Sequence, residues 1–202
     1  MAGKKGFASI LIFGCPGSGK GTQGEVLGKM PNLVHLAMGD IFRALDKDSD
    51  IGKESLSYST KGQLCPDELT VRVFRHHIER LIEQKTIKPD YHTLILDGIP
   101  RTITQAELLA DFISVKRVVH LVMADRDALI ARLTARASKS GRPDDADPAV
   151  IEKRLEVYQR ETQPVLDAYP KKLVARVNAD QPPLAVLRDV AECCIGVVPA
   201  RL

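Results

Sequence analysis

Residues 8–22 read ASILIFGCPGSGKGT. The leading ASILIF is a short, nearly continuous apolar run, the pattern of a strand buried on both faces. GCPGSGK at 14–20 fits the spacing GxxxxGK, and a helix is expected from Lys20 onward. Glycines let such a loop wrap until backbone N–H groups converge on phosphate oxygens. The following helix N-terminus adds positive potential, and Lys20 supplies a mobile cation for the outer phosphates. Gly21 stands where Ser or Thr usually follows the lysine, and Thr22 comes next with a hydroxyl for the phosphates or the metal shell. A glycine-rich turn that only joins strand to helix is the plainer reading. The order strand, loop, helix favours a nucleotide phosphate loop instead.

Outward from this loop, short apolar runs alternate with helical patterns. Strands are expected at 33–37, 93–96, 117–123 and 173–177. Helices are expected at 41–46, near 51–60, at 67–84 with Pro66 at the entry, and at 125–137, 148–168 and 183–194. This rhythm predicts an α/β fold of the P-loop NTPase-like, three-layer kind: a five-stranded parallel sheet with helices on both faces. Residues 38–89 and 138–148 fall outside the rhythm, as a mostly helical insert and a short polar loop. Inserts of this kind are natural substrate loops and lids.

A chain of 202 residues suits one domain with a sizeable core. Aromatics make up only 4% and Trp is absent, so the core must rest on Leu, Ile, Val and Ala. The 29 basic and 26 acidic residues leave +3, too small an excess to indicate a nucleic-acid surface. Cys15, Cys65, Cys193 and Cys194 show no CxxC or Cys/His spacing, so no structural zinc is expected and the protein reads as reduced and cytoplasmic. No apolar run approaches the ~20 residues of a membrane span, and the run after the basic start ends in the glycine-rich turn, unlike a signal peptide.

Phosphoryl transfer asks a protein for positioning and positive charge around the moving group. Arginine suits that work through permanent charge and two-pronged binding of oxyanions. Arg43 follows the second strand, and Arg101 follows the third within DGIPR at 97–101. Arg132 and Arg136 are four apart on one helical face, Arg142 lies in the polar loop, and Arg154 lies in the helix after it. Taken singly, Arg132 or Arg154 reads better as a surface residue; the set is more telling than any member. Asp97 ends an apolar strand, where it caps a turn or holds magnesium through water.

In these residues the chain resembles the adenylate kinase family of nucleoside monophosphate kinases, along nearly its whole length. GCPGSGKGTQ at 14–23 resembles that family's phosphate loop, including the Gly-Thr after the lysine. MGDIFR (38–43) and KGQLCP (61–66) resemble the two ends of its monophosphate-binding insert. DGIPRT (97–102) with Gln105 resembles the segment that grips the monophosphate and reads its base. RLTAR (132–136), GRPDD (141–145), EKRLEVY (152–158) and VNAD (177–180) resemble the donor side and the transfer point.

The resemblance implies ATP contacts from Gly17, Ser18, Gly19, Lys20, Gly21, Thr22, Arg132, Arg136 and a backbone group of Gln181. It implies AMP contacts from Met38, Arg43, Gln63, Leu64, Cys65, Gly98, Arg101, Gln105, Arg142 and Arg154. Lys20, Arg101, Arg136, Arg142 and Arg154 would be the catalytic set, with Mg2+ near Asp97. The implied organisation is a core of 1–37, 90–137 and 149–202, an insert of 38–89, and a lid of 138–148 matching short-lid members. Met38 replaces the family's usual Thr or Ala, Ile99 an aromatic and Cys65 a Val, departures that bear on acceptor affinity.

The implied reaction is reversible transfer from ATP to AMP by a monomer, without nucleic-acid or membrane partners. A side-chain amide at 105 can both donate to and accept from an adenine edge. Pyrimidine-preferring relatives tend to carry Asn near this point and after the Pro-Arg pair, where Thr102 stands. A UMP/CMP kinase-like enzyme and a catalytically silent nucleotide-binding protein are the alternatives.

Overall fold

The computed structural model describes residues 6–140 and 143–198. Among them five strands form one parallel sheet: β1 (Phe7–Gly14), β2 (Leu33–Ala37), β3 (Thr93–Asp97), β4 (Ile113–Val122) and β5 (Val174–Asn178), in the order β2-β3-β1-β4-β5. The central β1 is apolar at nearly every position because both of its faces are covered.

Successive strand side chains point to opposite faces, and the two cores divide by that parity. Leu11, Phe13, Leu94, Leu96 and Val118 pack on one face. Their partners come from α2 (Met38–Arg43), α4 (Asp67–Glu83) and Leu109, just beyond α5 (Ile103–Leu108). Ile10, Ile12, Ile95, Val119 and Leu121 face the other way, toward α1 (Lys20–Leu27), α6 (Arg126–Ser140), α7 (Pro148–Val157) and α8 (Pro183–Cys194). Each fully buried Leu or Ile stabilises the fold by about 1.5–3 kcal/mol relative to exposure. This is the expected three-layer α/β architecture.

β2 and α8 have the expected bounds, and α3 (Asp50–Ser59) and α4 lie within a residue or so of theirs. Other elements differ. β4 starts at Ile113, before the expected 117, because residues 113–115 pair with Phe7–Ser9 ahead of a register shift between Ser9 and Ile10. Ser114 and Lys116 hid that extension by breaking the apolar pattern. The expected helix 148–168 is α7 alone. A π turn (Tyr158–Thr162) and a 3-10 stretch (Gln163–Ala168) follow, around Pro164, which cannot donate a backbone hydrogen bond. α5 was absent from the sequence pattern, being only one and a half turns long, and its start is marked by Thr102, whose Oγ1 accepts from the Gln105 N–H.

Register brings one end of the sheet together. Asp97 pairs with Ala37 on one side and Ile12 on the other, Gly14 pairs with Leu121, and Val122 with Asn178. The phosphate-loop sequence and the DGIPR segment thus leave neighbouring strands at the same edge, where α/β sheets bind ligands.

Candidate active site

The loop between β1 and α1 is shaped by glycines at positive φ. Gly14, Gly17 and Gly19 have φ of 154°, 86° and 96°. Gly17 is constrained twice, since a Cβ there would stand 2.9 Å from the Leu129 carbonyl oxygen of α6. Gly19 caps α1 with no side-chain hydrogen bond, leaving first-turn N–H groups for an anion. Ser18 is 2% exposed, and its Oγ has no partner among the described residues.

Lys20 bends back over the loop, its Nζ donating to Gly14 O (2.7 Å) and Cys15 O (3.1 Å). Burial, assisted by the charges of Arg101 and Arg154, pushes its ammonium down to about 8, with Asp97 pulling the other way. Arg101 is affected in the same sense: burial first, then Arg154, lower its pKa. Three cations from separate elements therefore act on one another at the sheet edge, an arrangement that a phosphate group would relieve. Arg101 Nε donates to Gly98 O at 3.0 Å, beside the positive φ of Gly98. Asp97 turns its carboxylate toward the start of α1, with Oδ2 3.7 Å from where a Cβ on Gly21 would lie.

Asp145, 0% exposed, gathers two arginines from different helices. It accepts from Arg136 Nε (2.6 Å) and Nη2 (2.9 Å), and from Arg154 Nη1 (2.5 Å). Burial pushes its carboxyl up, but the arginine hydrogen bonds and charges outweigh it and hold it below its ordinary value. Asp144 adds a second acceptor for Arg154 at 2.8 Å. Sequence reasoning quoted GRPDD for its arginine and assigned nothing to these acids; the signal available was two adjacent carboxylates between cationic helices. Arg142 lies outside the described residues.

Among the residues expected on the donor side, Arg132 donates to Ala179 O through both terminal nitrogens (3.5 and 3.4 Å), tying α6 to the turn after β5. Gln181 in that turn is held by its own side chain, which donates to Asn178 O and Asp189 Oδ2. The residues expected around the acceptor are more scattered. Arg43 is paired with Asp40 at 2.5 Å and lies against Gly39. Gln63 is exposed and Leu64 half-buried. The Cys65 thiol points at Ser55, 3.8 Å from both its O and Oγ. Met38 is 2% exposed and sits in the core with Leu36, Ile41 and Phe74. Gln105 is 1% exposed, and its amide bonds to the Arg101 N–H and Asp67.

A parallel sheet of this order, carrying a phosphate loop and converging cations at its C-terminal edge, defines a P-loop nucleotide-binding protein. The family model for adenylate kinase matches residues 12–174. Similar proteins named adenylate kinase include one from Phocaeicola vulgatus, 39% identical over 80% of this chain and 84% of its own length. Another, from a Cyanothece species, is 37% identical over 87% of this chain and 89% of its own. A third, from Bifidobacterium longum, is 40% identical over 79% and 84%. The chain belongs to the adenylate kinase family and is a phosphotransferase.

Proposed function

We infer that the protein transfers the terminal phosphoryl group of ATP to AMP, giving two molecules of ADP, and that it runs the reverse reaction as well. The phosphate loop with Lys20 and the segment carrying Arg101 leave β1 and β3 at the same edge, with Arg154 close enough to act on both cations, and this is the observation that carries the reading. In the transfer, the bond from the γ-phosphorus to the ADP oxygen breaks and one to an AMP phosphate oxygen forms. Loop N–H groups of Gly17 to Thr22 hold the donor phosphates, and Lys20 leaves its backbone acceptors to meet them. Arg132 and the Gln181 backbone lie with the donor adenine. Arg43 and Arg101 take the acceptor phosphate, with Met38, Gln63, Leu64, Cys65 and Gly98 around the nucleoside and Gln105 reading its base. Arg136, Arg142 and Arg154 surround the group in flight, where charge stabilisation is worth most.

Mg2+ accompanies ATP and neutralises phosphate charge. Asp97, a hard oxygen donor facing the start of α1, and Thr22 would hold it through water. Residues 38–89 act as the acceptor insert and 138–148 as the lid, closing to exclude water that would otherwise take the phosphoryl group. A coupled assay of ADP formation from ATP and magnesium with AMP, CMP, UMP or GMP tests the reading. Fast turnover with AMP is expected, and turnover confined to a pyrimidine acceptor, or none with any, overturns it.

A further inference from the structure

The Gln105 amide is held at both ends by groups of fixed polarity. Its Nε2 donates to Asp67 Oδ1 at 2.9 Å, and its Oε1 accepts from the Arg101 backbone N–H at 2.8 Å. Asp67 is the first residue of α4, 38 positions away in the chain. Its Oδ1 also accepts from Thr102 Oγ1 at 2.8 Å, and Thr102 Oγ1 in turn accepts from the Gln105 backbone N–H at 3.1 Å. Every bond in this group runs in one sense.

A primary amide is almost symmetrical in shape, so only its neighbours' polarity decides which end is oxygen. A carboxylate can only accept and a backbone N–H can only donate. Turning the amide over would set oxygen against Asp67 and N–H against N–H, inside a buried site where both mismatches go unrelieved by water. Thr102 gives no escape, because its proton is already committed to Asp67.

We propose that Asp67, acting with the Arg101 backbone N–H, fixes which way round the Gln105 amide faces, and so makes the acceptor site select a 6-amino over a 6-oxo purine monophosphate. The proposal rests on the reading of Gln105 as the group that meets the acceptor base. Held this way, the amide keeps one N–H and one lone pair to spare. Adenine offers the complement, an accepting N1 beside a donating 6-amino group. Hypoxanthine presents a donating N1–H beside an accepting O6, which the reversed amide would suit. Discrimination of this kind is large because the wrong base leaves buried polar groups unpaired.

The test compares kcat/KM for AMP and IMP, with saturating MgATP, in the whole chain and in Asp67→Asn, Gln105→Met and the double variant. Asparagine can donate as well as accept, so it removes one of the two mismatches that oppose the turned amide and leaves only the Arg101 N–H against it. The expected result is a fall of about tenfold or more in the AMP-to-IMP ratio for Asp67→Asn, with the KM for ATP unchanged. In the Gln105→Met background, Asp67→Asn should change the ratio no further. An unchanged ratio in Asp67→Asn overturns the proposal while leaving the Gln105 reading intact. An equal fall in both backgrounds overturns it too, since Asp67 would then act through the fold alone. A ratio unmoved by Gln105→Met overturns both. Should Asp67→Asn fail to fold, Asp67→Ser carries the same comparison, because a hydroxyl also donates and accepts.

Discussion

Arg136 and Asp145 meet in a two-pronged ion pair, Nε to Oδ2 at 2.6 Å and Nη2 to Oδ1 at 2.9 Å, and Arg154 shares the same carboxylate. Two cations assigned to the moving phosphoryl group are thus pre-aligned by an anion that the sequence reading left without a role.

Asp145→Asn keeps the shape and removes the charge. Loss of charge-assisted hydrogen bonds should cost about 1.5–3 kcal/mol of stability, and misplaced arginines should lower kcat on the order of tenfold or more. Because this carboxyl titrates lower in the folded than in the unfolded chain, its contribution is present above the unfolded value of about 3.9 and lost as pH falls through the folded one. Denaturant melts at pH 7 and at successively lower pH should show the acid-dependent loss reduced in the variant. A variant with wild-type kcat and stability would refute the alignment.

Lys20 supplies a pH-dependent step. With its ammonium pushed down to about 8 in the free protein, ATP affinity should be flat below that pH and weaken above it by up to about tenfold per unit, since phosphates favour the charged form. Lys20→Met should abolish this dependence and lower kcat on the order of 10²–10³. The stability effect has the opposite sense. Between about 8 and the unfolded value of about 10.4 the unfolded chain holds more protons, so this group adds stability as pH rises. Calorimetric ATP titrations from pH 6.5 to 9.5 check the first point, and melts over pH 8–10 the second.

Gly17 and Gly19 share a positive φ but not their surroundings. Alanine at either pays about 1–2 kcal/mol of backbone strain. At Gly17 the new methyl also meets Leu129 O, whereas nothing lies within 4 Å at Gly19. Gly17→Ala should therefore lower both stability and ATP affinity more than Gly19→Ala. Equal losses in melting temperature and ATP Kd would contradict the packing argument.

Gly24 lets α1 lie against β2. A Cβ there would stand 2.3 Å from His35 Nε2, so Gly24→Ala should destabilise by about 1–3 kcal/mol. His35→Ala in the same chain should recover part of that loss, a coupling that melting curves of both single variants and the double variant would reveal.

The sequence by itself determined the class of fold and the phosphate loop, because both rest on short-range chemistry. The run 8–13 can only satisfy itself inside a sheet, and GxxxxGK places its glycines and lysine by local spacing. The bounds of β2 and α8 were legible from local signals too, β2 starting just past Pro31 and Asn32, and α8 opening at Pro183 and closing just before Ile195 and Gly196. Tertiary structure decided what depends on partners far apart in the chain. The early start of β4 follows from its pairing with β1, not from its own mixed sequence. The burial of Met38 follows from how α2 meets Phe74 of α4, which spacing around residue 38 does not encode. The orientation of the Gln105 amide and the meeting of Arg136 with Arg154 depend on Asp67 and Asp145, whose roles exist only once separate helices are brought within hydrogen-bond reach. Periodicity records which face of an element is apolar; it does not record which carboxylate waits on the neighbouring one.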